Sequence, residues 1–417
     1  MIQFNPLLIA FLAVFFVRTS VQLILNRLNI AHLRAHGNEV PRGFQGSVDG
    51  EELTRISAYT ADSANFGIFV TLVDQAFLLA ILLSGFLPWL SGMVNRWQPG
   101  FIVGGLVFFA VLFAISNLLH IPFGFYSTFV IEGRYGFNTR TPRLWFADWI
   151  KGLMISAILG GFLLLLLLAL LSYFRNTWWL WAWVMIGVFE LILLWVYPVI
   201  IAPLFNKFDQ IKDEGLRHRI ISLMEGAGLR VRGVFQMDAG RRSKHTNAYF
   251  TGIGRTKRIV LYDTLLASHP EGEILSILAH EIGHWKRKHT LKQLLFMEIS
   301  SLLGLYLVAR LLDWSLIYRT FGFEYPIAYA GLFLVGTLMS PISYFVRPVS
   351  AALSRKFERE ADDVAVGLIG TAKPLCDSLR RLALANLANL VPHPLYAWFY
   401  YSHPPAAERI SRLQNRG

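Results

Sequence analysis

The sequence predicts a mainly α-helical protein that crosses a membrane about seven times and carries a small α+β domain on the cytoplasmic side. Three observations predict this class. The 417 residues are 54% hydrophobic and only 16% charged, which is too apolar for an ordinary soluble protein. Several stretches approach the roughly 20 apolar residues that cross a bilayer. The basic residues are concentrated in alternate connections between these stretches, as in polytopic membrane proteins.

Seven apolar stretches are long enough to be transmembrane helices. The first begins almost at Met1 but has neither a basic n-region nor a small-residue cleavage site, so we expect a retained span and not a signal peptide. The fourth is the most apolar, since Leu163 to Leu168 are consecutive leucines. The predicted spans are residues 5–26, 67–93, 101–120, 152–174, 178–204, 292–312 and 327–347.

The charge distribution predicts which side of the membrane each loop occupies. With seven spans, residues 27–66, 121–151, 205–291 and 348–417 share one side, and they hold nearly all of the lysines and arginines. The positive-inside rule assigns that side to the cytoplasm. The net charge of +12 is then mainly a topology signal. Nucleic-acid binding is not expected, because no basic motif is interleaved with aromatic residues.

The spans divide the chain into four predicted parts. Residues 1–204 hold the first five spans, residues 205–291 form a first polar block, residues 292–347 hold the last two spans, and residues 348–417 form a second block. We expect three helices in the second block, separated by its prolines. In the first block we expect a helix, a strand, a hairpin and a long helix, at Asp213–Glu225, Val231–Met237, Ala248–Tyr262 and Glu271–Leu291.

The long helix contains the most informative motif of the chain, His280-Glu281-Ile282-Gly283-His284. Four residues make about one helical turn, so the two imidazoles leave the same face and can bind one metal ion. Glu281 can reach a water on that metal without binding the metal itself. No proline follows before Leu312, so we expect this helix to continue directly into the sixth span. Solvated side chains near a membrane surface are the alternative interpretation of the motif.

A third metal ligand is expected from the second polar block. Glu358 and Asp362 are four residues apart and share a face of the predicted helix, whereas Glu360 points elsewhere. Glu358 is the candidate ligand, and Asp362 could accept a hydrogen bond from the other ring nitrogen of a ligand histidine. Spacing alone does not choose between Glu358 and Glu360. The alternative is a charged, solvated helix face.

Two histidines and one carboxylate predict the open catalytic site of a zinc metallopeptidase, with one Zn²⁺ per chain. The same donors also suit iron(II) oxygenases, but the adjacent glutamate and the helical spacing favour zinc. The single cysteine, Cys376, excludes an intrachain disulfide and a cysteine-based zinc site.

Five stretches together resemble the integral-membrane type I CAAX prenyl endopeptidases, with the shorter heat-shock membrane metalloproteases as more distant relatives. The matching stretches are His280–Lys286, Phe357–Asp362, Asn247–Tyr249 with Arg258–Leu266, Tyr135–Asn138, and Ser402–Pro405 followed by Glu408–Ile410. The resemblance implies zinc bound by His280, His284 and Glu358, Glu281 as general base, and seven helices that enclose a large chamber. A compact segment before the metal helix and the lack of an endoplasmic-reticulum retention signal indicate a bacterial-type member in the inner membrane.

The remaining candidate residues lie in the matched stretches. His403 and Arg409 are candidates for stabilising the oxyanion, although Ser402-His403-Pro404 could instead cap a helix over residues 404–415. Asn247 and Ala248 begin an extended run that could pair with a peptide substrate, or could be an ordinary hairpin strand. His289 lies on another helix face than His284, so we expect a surface histidine or one that supports a ligand from behind.

The sequence therefore predicts a membrane-embedded zinc endopeptidase that acts on peptide or protein substrates within the lipid bilayer. Its substrates would be lipidated, CAAX-like C-terminal motifs or misinserted membrane proteins. A transporter or channel with a structural metal is the alternative, suggested by charges inside the proposed spans. These charges are Arg18, Asp74, Glu190 and Glu298. We expect them to pair with one another or to face a wet chamber.

Overall fold

The structure is a computed structural model that describes residues 1–229, 233–251 and 258–415. Helices dominate it. The helices of the membrane region are α1 (Pro6–His36), α2 (Gly50–Leu83), α3 (Phe86–Arg96), α4 (Gly100–Tyr126), α5 (Glu132–Arg134), α6 (Pro142–Tyr173), α7 (Trp178–Val196) and α8 (Ala202–Phe205). Those of the remaining chain are α9 (Glu214–Gly226), α10 (Asp263–Ser268), α11 (Glu271–Lys286), α12 (His289–Leu312), α13 (Ser315–Thr320), α14 (Ala328–Tyr344), α15 (Arg347–Ile369), α16 (Lys373–Ala385), α17 (Pro394–Tyr400) and α18 (Ala406–Gln414).

Six helical segments within the described residues are long and apolar enough to cross a membrane. Helices α14 and α15 make a seventh candidate, bent by 56°. The predicted count of about seven spans is therefore confirmed. Single π-helical turns at Ser127–Ile131 and Tyr197–Ile201 join α4 to α5 and α7 to α8, so each pair forms one continuous span.

Several spans extend well beyond the apolar stretch that predicts them. Helix α2 has 34 residues, or about 51 Å, whereas the hydrocarbon core of a bilayer is about 30 Å thick. Its first turns therefore project from the membrane, and Asp49 caps them by accepting a hydrogen bond from the Glu52 N–H at 2.8 Å. Its end at Leu83 comes earlier than predicted, because Gly85 adopts a φ of +79° and separates α2 from α3.

Contacts between distant segments show two opposite ends of the molecule. At one end, Asn5 donates a hydrogen bond to Thr320 at 2.7 Å, close to the N-terminus. At the other end, the His393 N–H donates to Asn29 at 3.0 Å, where the second polar block meets the end of α1. The polar blocks share this second end, which we call the site end.

Polar side chains within the spans indicate a hydrated space between the helices. His120 on α4 lies 3.1 Å from Asp74 on α2, and their side chains are 47% and 37% exposed. Exposure to lipid would be costly for both, so they must face an internal, hydrated space. Glu190 and Glu298 interact on the facing helices α7 and α12, and Arg18 lies over the Tyr344 ring at 4.9 Å.

A four-stranded sheet lies at the site end. Its strands are β1 (Phe208–Gln210), β2 (Gly233–Met237), β3 (Ala248–Thr251) and β4 (Arg258–Tyr262), in the order β1-β2-β4-β3. The predicted hairpin is confirmed by the antiparallel pairing of β3 with β4. Residues 252–257 between these strands lie outside the described residues, as does Val231 at the start of the predicted strand. Strand β3 is the last strand in this order, and it lies beside α11.

Two predictions about helix boundaries are wrong. The metal helix does not continue into the sixth span: α11 ends at Lys286, and α12 begins at His289 after Lys288 adopts a left-handed φ of +55°. Neither proline nor glycine forms this break, so the sequence contains no residue that would predict it. Up to residue 415, where the described part ends, the second block contains four helices and not three. The additional helix is the short α17, which the His393 side chain caps by accepting a hydrogen bond from the Leu395 N–H at 3.2 Å.

Candidate active site

The candidate site forms where α11 crosses α15 at very close range. A Cβ atom on Gly283 would lie 2.7 Å from both the Cα atom and the carbonyl oxygen of Ala361, so only glycine permits this approach. The contact brings the H-E-x-x-H face of α11 against the face of α15 that carries Glu358 and Asp362. Both carboxylates are buried, at 3% and 0% exposure.

One donor atom from each of His280, His284 and Glu358 lies within 4.8 Å of the others. The two imidazole Nε2 atoms are 3.1 Å apart. The Glu358 oxygens lie 3.3 Å from His280 Nε2 and 3.2 Å from His284 Nε2. Glu360 is turned away from this cluster and contacts His289 instead, at 3.0 Å. The structure therefore places Glu358, and not Glu360, beside the two histidines.

The donor set fits a divalent cation. Two ring nitrogens and a carboxylate converge on one point, and the nearest cationic or hydrogen-donating groups to the buried Oε2 atom of Glu358 among the described residues are at long range, His280 Nε2 at 3.3 Å and Arg409 at 3.4 Å. Such a cluster needs positive charge to be stable. Burial acts to lower the pKa of His280, but hydrogen bonds to Asp362 and Glu358 outweigh it and raise the pKa to about 9. A proton can thus supply the charge where a metal would otherwise do so.

Asp362 and Arg409 support His280 from behind. The His280 Nδ1–H donates to Asp362 at 2.9 Å, which leaves Nε2 directed at the donor cluster. The Arg409 guanidinium donates two hydrogen bonds to the same carboxylate, at 2.6 and 3.1 Å, and lies 3.4 Å from Glu358. Arg409 is only 9% exposed, so it joins the two acidic side chains of α15 inside the protein.

A cleft of about 170 Å³ opens beside the donor cluster. It brings together the predicted catalytic and substrate-binding residues Asn247, Ala248, Glu281, His403 and Arg409. Burial raises the pKa of Glu281 above its ordinary value, and the neighbouring His280 and His284 offset this only in part. A carboxylate with a raised pKa is a better general base near neutral pH.

His403 faces the cleft from the C-terminal segment. Its Nε2 atom lies 3.2 Å from Glu358, and 61% of its side chain is accessible. The protein walls around the ring still desolvate it, and this burial lowers the pKa of His403. Helix α18 begins only at Ala406, with Pro405 at its N-cap position and no side-chain cap. The alternative role of Ser402-His403-Pro404 as a helix cap is therefore not observed.

Asn247 and Ala248 stand at the start of β3, on the wall of the cleft. The Asn247 carbonyl accepts a hydrogen bond from the Tyr262 N–H at 3.1 Å, which fixes it to β4. The Asn247 side-chain oxygen accepts one from the Ala248 N–H at 2.8 Å. The start of β3 is thus held in place next to the donor cluster.

Sequence reasoning did not identify the network that holds this segment. His245 interacts through Nε2 with Glu132 at 3.2 Å and through Nδ1 with Asn386 at 2.9 Å. Its ring stacks on Phe137 at 4.0 Å, and the hydrogen bond to Glu132 raises the pKa of His245. The sequence did contain one indication of this network, since Phe137 belongs to one of the stretches that carry the family resemblance.

Comparisons with known proteins agree with this geometry. The family model described as "CAAX prenyl protease N-terminal, five membrane helices" matches residues 29–207, and that of "Peptidase family M48" matches residues 210–417. CAAX prenyl protease 1 homolog of Arabidopsis thaliana is 35% identical over 388 residues, covering 90% of each chain. The chain belongs to the CAAX prenyl protease 1 family. CAAX prenyl protease 1 of Saccharomyces cerevisiae is 32% identical, covering 90% of this chain and 88% of its own length.

A solved structure has the same fold as this family member. The crystal structure of S. mikatae Ste24p matches with a TM-score of 0.92 at 30% identity, covering 99% of this chain and 100% of that chain. The chain is therefore a metalloendopeptidase embedded in a membrane, with peptide or protein substrates. The transporter or channel alternative finds no support. The relatives named here are eukaryotic, so they do not support the predicted likeness to bacterial members.

Proposed function

We propose that this family member is a zinc endopeptidase that cleaves lipidated, CAAX-like C-terminal segments on the cytoplasmic side of its membrane. The observation that carries the proposal is the convergence of His280, His284 and Glu358 beside Glu281, at the site end of a chambered helical bundle. The substrate class is that named for the relatives, which are CAAX prenyl proteases, and the positive-inside rule indicates the side of the membrane.

The donor set favours zinc as the metal. Two imidazoles and one carboxylate, with room for a further ligand, are typical of catalytic zinc sites, and a helical H-E-x-x-H motif adds the adjacent base. When bound, zinc would supply Lewis acidity that makes water a nucleophile near neutral pH. His280, His284 and Glu358 would hold it, with Asp362 keeping His280 in the required orientation.

Other residues of the cleft have distinct proposed roles. The Glu281 carboxylate accepts a proton from the attacking water and later delivers it to the departing amine. His403, exposed in the cleft, donates a hydrogen bond to the oxygen that becomes negative as water adds to the peptide carbonyl. The segment at Asn247 and Ala248 binds the extended substrate through main-chain hydrogen bonds.

The decisive variant for the catalytic assignment is Glu281→Gln, which keeps the size of the side chain and removes the base. We expect purified Glu281→Gln to retain one zinc per chain by metal analysis and to lose peptide cleavage by a factor of about 10³ or more. Zinc retention with undiminished cleavage would overturn the role of Glu281. Absence of zinc from the active wild-type protein would overturn the metal assignment.

The substrate class needs a separate experiment. A farnesylated CAAX peptide and its unlipidated twin should be offered to the same preparation, with Glu281→Gln as the inactive control. We expect the lipidated peptide to be cleaved with the higher kcat/KM. Equal cleavage of both peptides would contradict lipid-dependent recognition and would favour misinserted membrane proteins as substrates.

A further inference from the structure

His289, the first residue of α12, is buried although sequence reasoning allowed a surface position. Only 1% of the residue is exposed, and its ring stacks on Phe357 with a centroid distance of 4.2 Å. In a continuous helix, residues five apart do not face each other. The break at Lys288 changes the geometry, because its left-handed conformation turns the start of α12 back over the end of α11.

This turn places His289 between a metal-facing histidine and a carboxylate. Its Nδ1 atom lies 3.1 Å from Nδ1 of His284, and its Nε2 atom lies 3.0 Å from Oε2 of Glu360. Lys292 and Lys356 also approach the Glu360 carboxylate, at 3.9 and 4.0 Å. Among the described residues, Glu360 therefore has three cationic or hydrogen-donating neighbours.

The donors and acceptors of Glu360, His289 and His284 determine which ring nitrogens carry a hydrogen. The Glu360 carboxylate only accepts, so Nε2 of His289 carries a hydrogen. In a neutral ring, Nδ1 of His289 is then an acceptor, and Nδ1 of His284 must donate to it. This leaves the Nε2 lone pair of His284 free to face His280 Nε2 and Glu358. The opposite direction of donation would put a hydrogen on Nε2 of His284 and prevent it from binding a metal.

The other metal-facing histidine is oriented in a parallel way. His280 donates its Nδ1–H directly to Asp362 at 2.9 Å, whereas His284 donates to an imidazole that is itself held by Glu360. Asp362 and Glu360 both lie on α15, and His289 at the start of α12 links Glu360 to His284. In the neutral form of each metal-facing ring, this arrangement places the hydrogen on Nδ1 and leaves Nε2 unprotonated.

We propose that His289 and Glu360 are positioning residues that hold His284 in its metal-binding tautomer and orientation. The proposal rests on the zinc site of the proposed function and adds residues that no donor count would find, since neither touches the metal position. Loss of a hydrogen-bond partner behind a metal ligand typically costs 10–100-fold in metal affinity. The same loss is expected here when the acceptor at position 289 is removed.

The test compares zinc affinities of full-length, detergent-purified variants in competition with a chromogenic chelator. His289→Phe keeps a ring that can stack on Phe357 but removes the acceptor, and we expect zinc affinity to fall 10–100-fold. His289→Asn places a carboxamide oxygen near the former Nδ1 atom, and we expect it to recover most of that loss. Lys356→Ala, on a side chain that is 70% exposed and also approaches Glu360, is the control and should bind zinc as the wild type does.

Further results decide between these outcomes. Unfolding temperatures of the zinc-free proteins show whether His289→Phe is folded. If it is not, Glu360→Ala takes its place, and we expect its zinc affinity to be about tenfold lower than that of the wild type. Wild-type zinc affinity in the folded His289→Phe variant or in Glu360→Ala overturns the inference, as does an equal loss in His289→Phe and His289→Asn. A wild-type protein that binds no zinc overturns the proposed function itself, so the two failures are distinguishable.

Discussion

His403 and Arg409 approach the same carboxylate, Glu358, but their surroundings give them different tasks. His403 is accessible in the cleft and is not among the three clustered donors. Arg409 is buried and held by Asp362. Both were predicted to stabilise the oxyanion, and this shared role stays a prediction. The contacts favour His403 for direct contact with substrate and Arg409 for support of the acidic side chains.

Replacement of His403 should affect the reaction and not the metal. We expect His403→Ala to lower kcat by about 10²–10³, the usual cost of one oxyanion donor, with zinc content unchanged. Steady-state kinetics and metal analysis measure the two quantities. His218→Ala, on the exposed face of α9, is the matched control. Loss of zinc along with activity would contradict this division of roles.

Replacement of Arg409 should reduce stability. Arg409→Met leaves Asp362 without its two shortest guanidinium hydrogen bonds in a buried position, which typically costs about 3–5 kcal/mol. We therefore expect a marked decrease of the unfolding temperature in detergent, together with weakened zinc binding. A stable Arg409→Met protein that has lost only kcat would show that Arg409 acts on the substrate instead.

His245 predicts a pH-dependent contribution to stability. Its pKa is raised above 6.5 in the folded protein by the hydrogen bond to Glu132, so its contribution is fully present below 6.5 and is lost as the pH rises through the folded value. The difference in unfolding temperature between wild type and His245→Gln should accordingly be larger at pH 6 than at pH 9. A difference that does not change with pH would contradict this assignment.

At the scale of elements, the contact between α11 and α15 determines the geometry of the site. Gly283→Ala adds a Cβ atom that would lie 2.7 Å from backbone atoms of Ala361, which cannot move aside as a flexible side chain could. We expect the helices to separate, with a loss of about 1–3 kcal/mol in stability and a measurable decrease in zinc affinity. Gly272→Ala on the same helix meets nothing within 4 Å and is the control. Equal zinc affinities in the two variants would show that this crossing does not govern the donors.

The same elements show what could be predicted from the sequence. The metal helix was predictable because hydrophobic spacing and the paired histidines are local signals within α11. The sequence could not show whether Glu358 or Glu360 lies beside the histidines, because the rotation of α15 against α11 is set by tertiary packing. The break before His289 was missed because a lysine, and not glycine or proline, adopts the left-handed conformation there. The contacts of His245 with Glu132 and Asn386 join residues more than 100 positions apart, and no local pattern reports such distances.

At the scale of the whole molecule, hydropathy predicted the number of spans but underestimated their length. Apolar stretches mark only the part of a helix that lies in lipid, whereas α2 continues through polar residues at the site end. The chamber was implied by the family resemblance alone. Its structural sign is the accessible contact between Asp74 and His120 within the spans, and hydropathy does not detect such contacts.

The orientation in the membrane can be tested by cysteine labelling, because Cys376 is the only cysteine and is 3% exposed. On a Cys376→Ala background, Lys373→Cys introduces a thiol at the site end, on a side chain that is 81% exposed. Trp97→Cys introduces a thiol at the opposite end, at a residue that is 72% exposed. We expect a membrane-impermeant maleimide to label Lys373→Cys only from the cytoplasmic side and Trp97→Cys only from the other side. Labelling of both from one side would contradict the number of spans, and a reversed pattern would contradict the orientation.

The break at Lys288 has a mechanical consequence for the whole enzyme. Transmembrane helices tilt to match bilayers of different thickness, and a rigid helix would transmit that tilt along its full length. Because α11 and α12 are separate rods, α12 can pivot at the bend to adjust to thicker or thinner lipid, while the contact between His289 and His284, which lies at the bend itself, stays in place. Catalysis should accordingly tolerate changes in acyl-chain length that alter the inclination of the sixth span.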